Sequence, residues 1–393
     1  MLICGGVGGE PFELPMEVDG IPHMLIIGPT GVGKSTLLGA MTCGFLQEPG
    51  ARVFILDVGR SSYVLARCLG ADYFDVGAAD GEPLCPLAIL DQVGGLTWLE
   101  AWFERLFARW PDEATGINKL VFTEDEFGDF MSAVRECRTP RPGLERVYTL
   151  EGLRGKMYGG VHARDRIKRI LTKYITSYGH IFNGHQEHTS AAKVVVYETS
   201  ELIQMDLKFA GPAMELMLRS VSSQLDGSHR SWLIFDEFWR FLRDPVAAET
   251  LYDWLRTFRK QNCGIIATSQ SLVEIANSPL CELLIESMPG KIFLPNRAAS
   301  GAWVREKYLQ LGVSEHETNF IASGIPHQDF FYTSPAGARQ AQLELGPVAK
   351  AIVAATGSAD VQRARQIWTE HPSAQAFTEA WLRARVPGWQ PRL

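Results

Sequence analysis

Residues 28–35 read GPTGVGKS: a glycine, four residues, then Gly-Lys-Ser. No other stretch constrains the fold as strongly. The flanks agree with it. Met24-Leu25-Ile26-Ile27 is a short apolar run that suits a buried strand, and Ser35 to Met41 reads as the start of a helix. A strand, a glycine loop and a helix in that order make a phosphate cradle. Glycines let backbone N–H groups turn inward onto phosphate oxygens, and the helix N-terminus adds partial positive charge. Gly28, Pro29, Thr30, Gly31, Val32, Gly33, Lys34, Ser35 and Thr36 are therefore the expected nucleotide-binding residues. Lys34 is placed to reach the β- and γ-phosphates of ATP, and Ser35 to ligate magnesium. The loop implies a nucleoside triphosphate and leaves the use of its energy open.

The rest of the chain narrows that use. Its 393 residues are enough for two or three core-bearing units. A formal charge of −7 argues against a surface that wraps nucleic acid, although a local basic patch remains compatible with it. The seven cysteines are scattered with no C-x-x-C pair, which fits reduced thiols in a cytoplasmic protein better than a zinc site. No apolar run approaches the roughly 18–20 residues that span a bilayer. The start, MLICGGVGGEPFELP, lacks the basic opening and apolar core of a signal peptide. Membrane association is thus expected through partners. The P-loop follows only about two dozen residues into the chain, so we read a piece of something longer.

Residues 21–90 alternate as α/β. Arg52–Asp57 reads as a second strand, Ser61–Leu69 as a helix and Asp72–Val76 as a third strand, an order that predicts a parallel sheet. From about residue 96 to 178 the texture becomes helical. Trp98, Trp102, Leu106 and Trp110 recur at helical spacing, as do Phe122, Phe127, Phe130 and Val134, then Ile167, Ile170, Leu171 and Tyr174. These stripes read as core rather than as a ligand cage. Residues 135–173 are rich in Arg and Lys, among them Arg141, Arg146, Arg154, Arg164, Arg166 and Lys173. They read as a solvated face, with a docking surface for an acidic partner or nucleic acid as the alternative. Strand patterns return at Lys193–Glu198, Ser231–Glu237, Ile265–Gln270 and Lys291–Leu294, with helices over about 211–225 and 247–260 between them. Residues 328–345 read as a hairpin and the tail as mostly helical.

A phosphate loop needs a partner acid, and LIFDE at 233–237 supplies two. Asp236 is the expected magnesium residue, and Glu237 the residue that polarises the attacking water. Gln270, at the tip of the next strand, is a candidate sensor of the γ-phosphate. Arg256 and Arg259 lie between those strands, and either is placed to act on a neighbouring subunit's nucleotide, where an inserted guanidinium raises rates by about 10³–10⁵ in studied cases. Asp57 and Glu198 sit at strand tips and are weaker candidates, Asp57 for positioning the Lys34 region or magnesium waters.

These residues together resemble one family. DEFWRFL (236–242), WLRTFRKQN (254–262), TSQSL (268–272) and IESMPGKIFLPN (285–296) are similar to the conjugation and type IV secretion ATPases of the TrbE kind, the fourth VirB component. GEPFELPMEVDGIPHMLIIGPTGVGKS resembles the entry to that ATPase domain, FILDVGRSS its second strand and LELGPVAKAI (343–352) its exit. The resemblance covers nearly the whole chain. It implies a RecA-like core over 1–95 and 179–346 with a parallel-rich sheet, an α-helical insertion over 96–178 and a helical tail over 347–393. Phe238 stands where the family usually has Ala, and Arg256 where it often has Lys; Arg259 and Lys260 match, which favours Arg259 as the residue acting in trans. Family members carry a long N-terminal domain, so the resemblance implies that the residues read here are the C-terminal ATPase part of a longer chain.

The reading is an ATPase that powers type IV secretion or conjugative transfer. Its catalytic residues are Glu237, Lys34, Arg259 and Gln270, and its cofactors ATP and Mg2+. Other secretion components are its partners, in a homo-oligomer (a hexamer when active, a monomer as a fragment) at the cytoplasmic face of the bacterial inner membrane. A hexameric DNA translocase or coupling ATPase is the alternative, with DNA possible but not favoured. A nucleotide-gated scaffold is the third. A GTPase switch is not expected, since no N-K-x-D motif follows a strand; Asn118-Lys119 continues into Leu-Val.

Overall fold

The computed structural model describes residues 3–6, 10–111, 122–138, 146–157, 162–186, 190–277 and 281–391, with only the backbone of 3 and 162–164. Eleven strands form one sheet among the described residues: β1 (Ile3–Gly6), β2 (Pro11–Glu13), β3 (Met24–Ile27), β4 (Arg52–Asp57), β5 (Asp72–Asp75), β6 (Val194–Glu198), β7 (Ser231–Phe235), β8 (Cys263–Ser269), β9 (Gly290–Phe293), β10 (Asp329–Ser334) and β11 (Gly337–Gln342). Their spatial order is β2-β1-β11-β10-β9-β3-β8-β7-β4-β6-β5. The stretch from β9 to β5 is parallel throughout. The remaining four strands continue it antiparallel.

The central strands are apolar runs because both of their faces are covered. MLII of β3 and SWLIF of β7 are buried at every position. Alternate residues serve opposite faces. Leu25, Ile27, Phe54, Leu56, Leu233 and Phe235 join one core, and that core takes up Leu99, Trp102, Phe103, Leu106, Phe130 and Tyr174 from the helical stretch. Met24, Ile26, Val53, Ile55, Trp232 and Ile234 join the other, which holds Leu37, Met41 and Phe45 of the P-loop helix (Lys34–Phe45). The tail helices, Pro347–Val353, Ser358–Glu370 and Ala374–Arg385, pack on the short helix Tyr63–Leu69 through Val361, Phe377 and Trp381.

The aromatic stripes are core, as read. Trp102 and Leu106 are fully buried, and Trp98 and Trp110 pack at the edge of the same cluster. The basic stretch is partly neutralised in place. Arg146 pairs with Asp91 at 3.1 Å, Arg166 with Glu126 at 3.5 Å and Arg154 with Glu151 at 3.8 Å, while Lys173 sits over the Trp110 ring at 4.5 Å. Arg141, the side chain of Arg164 and the Asn118-Lys119 pair lie outside the described residues.

Two features differ from the sequence reading. The helix expected to run to Lys260 ends at Thr257, and Phe258–Gln261 forms a 3-10 turn. Asn262, at φ 54° in the left-handed region, then turns the chain into β8. The edge strand β2 and its neighbour β1 have no counterpart in that reading.

Candidate active site

One strand, β8, separates the P-loop strand β3 from the acid strand β7. The three run parallel, so their C-terminal tips lie side by side. Those tips carry Gly28, Gln270 and Asp236.

The loop starts where the Gly28 N–H donates to the Ser269 carbonyl at 3.1 Å. A Cβ on Gly28 would stand 2.6 Å from the Leu294 Cβ, so only glycine fits between β3 and the end of β9. Gly33 adopts φ 107°, a left-handed conformation that glycine accepts without strain. No side chain caps the helix that follows. Its first N–H groups are thus directed at whatever anion the loop holds. Thr30, at the loop tip, donates its hydroxyl to the Gln270 side-chain carbonyl. Val32 accepts the His327 N–H at 2.9 Å. Ser35 and Thr36 occupy the first helical turn behind Lys34.

Lys34 is buried, and its ammonium lies between both acids. It donates to Glu237 Oε1 and stands 3.3 Å from Asp236 Oδ1. Asp236 also accepts the Thr268 hydroxyl at 3.0 Å. Burial pushes the Asp236 carboxyl above its ordinary range, with Lys34 opposing the shift and Glu237 adding to it. Glu237 sits at φ 56°, an uncommon region for a residue with a Cβ. Its backbone N–H donates to the Thr268 hydroxyl at 3.3 Å. Its second oxygen accepts the Trp239 indole N–H at 2.7 Å and the Gln270 backbone N–H at 3.4 Å. Phe238, the departure from the family pattern, is fully buried with its ring 5.4 Å from that of Phe235.

Lys34, Asp236, Glu237 and Gln270 are thus brought together. Arg256 and Arg259 are not. Both are exposed, and Arg259 precedes the N-terminal end of β8 whereas Gln270 follows its C-terminal end. Seven strand residues separate those ends by roughly 20 Å. Asp57 does not reach Lys34 through a hydrogen bond. Its carboxylate accepts the Ser61 hydroxyl at 2.7 Å and the Ser62 N–H at 2.8 Å. Glu198 accepts backbone N–H groups of Gly59, Arg60 and Ser200. Both acids shape the turn after β4, and burial raises both carboxyls. The sequence reading missed Trp239, Thr268 and His327. Trp239, inside DEFW, carried the one available signal: an indole donor two residues from a carboxylate.

Among the described residues no group of three or more His, Cys, Asp or Glu is arranged to hold a metal. The Ser35 hydroxyl and the Asp236 carboxylate are hard oxygen donors, suited to a magnesium ion that completes its shell with water and phosphate oxygens.

Comparison with known proteins finds relatives of this chain and of its fold. The family described as Helicase HerA, central domain, matches residues 9–73. The conjugal transfer protein TrbE of Rhizobium radiobacter is 31% identical over 96% of this chain and 45% of its own length. A probable conjugal transfer protein TrbE of Sinorhizobium fredii is 29% identical over 96% of this chain and 55% of its own. The type IV secretion system protein virB4 of Bartonella quintana is 21% identical over 86% and 41%. The solved structure of VirB4 of Thermoanaerobacter pseudethanolicus superposes with a TM-score of 0.67 at 18% identity, over 88% of this chain and 96% of that one. The plasmid coupling protein TrwB, solved with ADP and Mg2+, gives 0.55 at 16% identity over 84% and 88%. The fold is therefore that of these P-loop proteins, with a mostly parallel sheet. The chain is a homologue of the TrbE and VirB4 proteins of conjugation and type IV secretion, and it spans about half the length of the curated relatives it matches.

Proposed function

We propose that this chain is an ATPase unit that powers type IV secretion or conjugative transfer by hydrolysing ATP. The observation that carries this reading is the buried lysine held between two acids, with Gln270 bridging the P-loop and Glu237. When ATP enters, Lys34 exchanges Glu237 for the β- and γ-phosphate oxygens. Glu237 is then free to accept a proton from the attacking water. The water oxygen bonds to the γ-phosphorus, the bond to the β–γ bridging oxygen breaks, and ADP and phosphate leave. Ser35 and Asp236 would hold a magnesium ion, which would neutralise part of the phosphate charge. Gln270 links the state of the loop, through Thr30, to that of the glutamate.

Arg259, remote and exposed, is assigned to a neighbouring subunit's nucleotide in a hexamer. The partners are the other components of the secretion machine at the cytoplasmic face of the inner membrane. No helix among the described residues is long and apolar enough to cross a membrane, so attachment is assigned to partners or to a longer chain. Residues 1–95 and 179–346 form the working core in this proposal, 96–178 the inserted lever and 347–393 the tail.

The fold shared with the coupling protein TrwB keeps a DNA translocase as the second reading. Phosphate release separates the two. Lys34→Ala should abolish turnover, and wild-type turnover should ignore single-stranded DNA. A Lys34→Ala protein as active as wild type refutes the site. A salt-sensitive jump with DNA selects the second reading.

A further inference from the structure

The backbone that leaves Glu237 is held at both ends. It passes through the 3-10 turn Phe238–Arg243 and reaches Asp244, which starts the helix Pro245–Thr257. The turn is pinned to β7, with the Phe238 and Phe241 rings 5.4 and 5.3 Å from that of Phe235. The Arg240 N–H donates to the Glu237 carbonyl at 3.0 Å and the Asp244 N–H to the Phe241 carbonyl at 3.4 Å, so a shift at Asp244 is passed along a hydrogen-bonded turn. Asp244 itself is fully buried. One of its carboxylate oxygens caps the new helix by accepting the Ala247 N–H at 3.0 Å. The other accepts Arg109 Nη1 at 2.5 Å. Arg109 closes the helix Gly95–Ala108, which opens the helical stretch. We infer that Arg109 and Asp244 are positioning residues: through this pair the helical insertion fixes the segment that carries Glu237, and so couples its own seating to hydrolysis.

The pair belongs to a buried network of balanced charge. Arg109 Nη2 donates to Glu215 Oε1 at 3.0 Å, and Arg105 Nε donates to Glu215 Oε2 at 2.8 Å. Glu215, buried on the helix Leu207–Ser223, thereby ties two arginines of one helix. Two guanidiniums meet two carboxylates, so neither acid is left buried and uncompensated. The planar fork of Arg109 serves both acids at once. A Cβ on Gly211 would stand 2.5 Å from both Arg109 Nη1 and Asp244 Oδ2, so a glycine is needed where the pair crosses that helix.

The same helix is gripped elsewhere through its backbone. Pro212 has no N–H to give to the Lys208 carbonyl, and the Tyr174 hydroxyl donates to it instead at 2.5 Å. Trp102 Nε1 donates to the Pro212 carbonyl at 3.1 Å, and Arg109 Nη1 to that of Leu207 at 3.3 Å. Of these three donors only Arg109 also reaches Asp244. Packing leaves room beside the network: a cleft of about 210 Å3, lined by Trp98, Arg105, Val246, Thr250 and Trp254 among others, opens between the helices Gly95–Ala108 and Pro245–Thr257. The ion pair bridges these two helices.

This inference rests on the ATPase reading above. Arg109→Lys keeps the charge but not the fork, and Asp244→Asn keeps the helix cap but not the charge. Steady-state and single-turnover phosphate release, with ADP affinity by calorimetry, are measured on the full chain for each variant, alone and combined with Glu237→Gln. Each variant alone should lower kcat roughly tenfold or more, with KM for ATP and affinity for ADP as in wild type. Added to Glu237→Gln, neither should lower the residual rate further, because the residue they position is already disabled. Tyr174→Phe, whose lost hydroxyl bonds the same helix and not Asp244, should turn over as wild type does. Wild-type rates in both variants, a loss of ADP affinity alongside turnover, an equal fall in Tyr174→Phe, or an undiminished further loss on top of Glu237→Gln overturns the assignment. A wild type that releases no phosphate refutes the ATPase reading itself, and the coupling falls with it.

Discussion

Glu237→Gln should tighten ATP binding while stopping turnover. Lys34 donates to Glu237 and lies 3.3 Å from Asp236. The side chains of Lys34 and Glu237 are 7% and 3% exposed, so water screens the pair weakly. ATP must break that contact before Lys34 can hold phosphate. At an effective dielectric constant near 20, two unit charges about 3 Å apart attract by roughly 5 kcal/mol before desolvation is counted. The net contribution of a charge-assisted hydrogen bond is smaller, about 1.5–3 kcal/mol. Glutamine keeps the shape and the contacts to Trp239 and Gln270 but removes the charge. ATP affinity should then rise about ten- to a hundredfold, while loss of the base lowers kcat by about 10²–10⁴. Equilibrium titration with a fluorescent ATP analogue and a phosphate-release assay on one preparation read both effects. Unchanged affinity would show that the lysine–glutamate pair does not compete with phosphate. Retained turnover would remove Glu237 from its role.

Three further outcomes follow from the same geometry. Trp239→Phe keeps the ring but loses the 2.7 Å indole donor to Glu237; kcat should fall by roughly tenfold with KM unchanged, and Trp239→His should recover part of it, whereas a parallel change in KM would point to a packing role. Gly28→Ala places a methyl against Leu294 and should lower stability in denaturant titration by about 1–3 kcal/mol; an unchanged midpoint would contradict the close approach described. His23 is buried, accepts the Ile265 N–H at 3.0 Å, and burial pushes its pKa down to about 4. The unfolded chain therefore takes up this proton first as pH falls below about 6.5. The stability contributed by neutral His23 is complete above that value and is lost, up to roughly 3 kcal/mol, as pH falls through 4. His23→Gln should flatten that limb of the stability–pH curve, and a limb of unchanged slope would rule the histidine out.

The P-loop strand, its helix and the acid strand were legible because each combines a local pattern with a chemical requirement. MLII, GPTGVGKS and LIFDE read the same way at the level of propensity, burial and function. Helix ends were less legible. In WLRTFRKQN only Asn262, a residue that tolerates the left-handed region, signals a stop, and it does not place the helix end at Thr257. The strands β1 and β2 were hidden because they are short, two of the four residues of β1 are glycine, and the partner of β1 in β11 lies more than 300 residues away. Within the site, the residue types of Lys34, Asp236, Glu237 and Gln270 pointed to their chemistry. The contacts of Trp239, Thr268 and His327 did not show, because they depend on which strand tips become neighbours. Placing β8 between β3 and β7 is a tertiary fact, and it sets Thr268 and Gln270 beside the acids.

The central claim is an ATPase whose site is completed by Arg259 of a second copy. It is tested most directly by measuring specific ATP turnover against protein concentration, beside a sizing experiment, for wild type and Arg259→Ala. Turnover per chain should climb as oligomers form, and Arg259→Ala should bind ATP normally yet fail to climb. A specific rate that stays flat while the chain assembles, or an Arg259→Ala protein that accelerates like wild type, would contradict the claim.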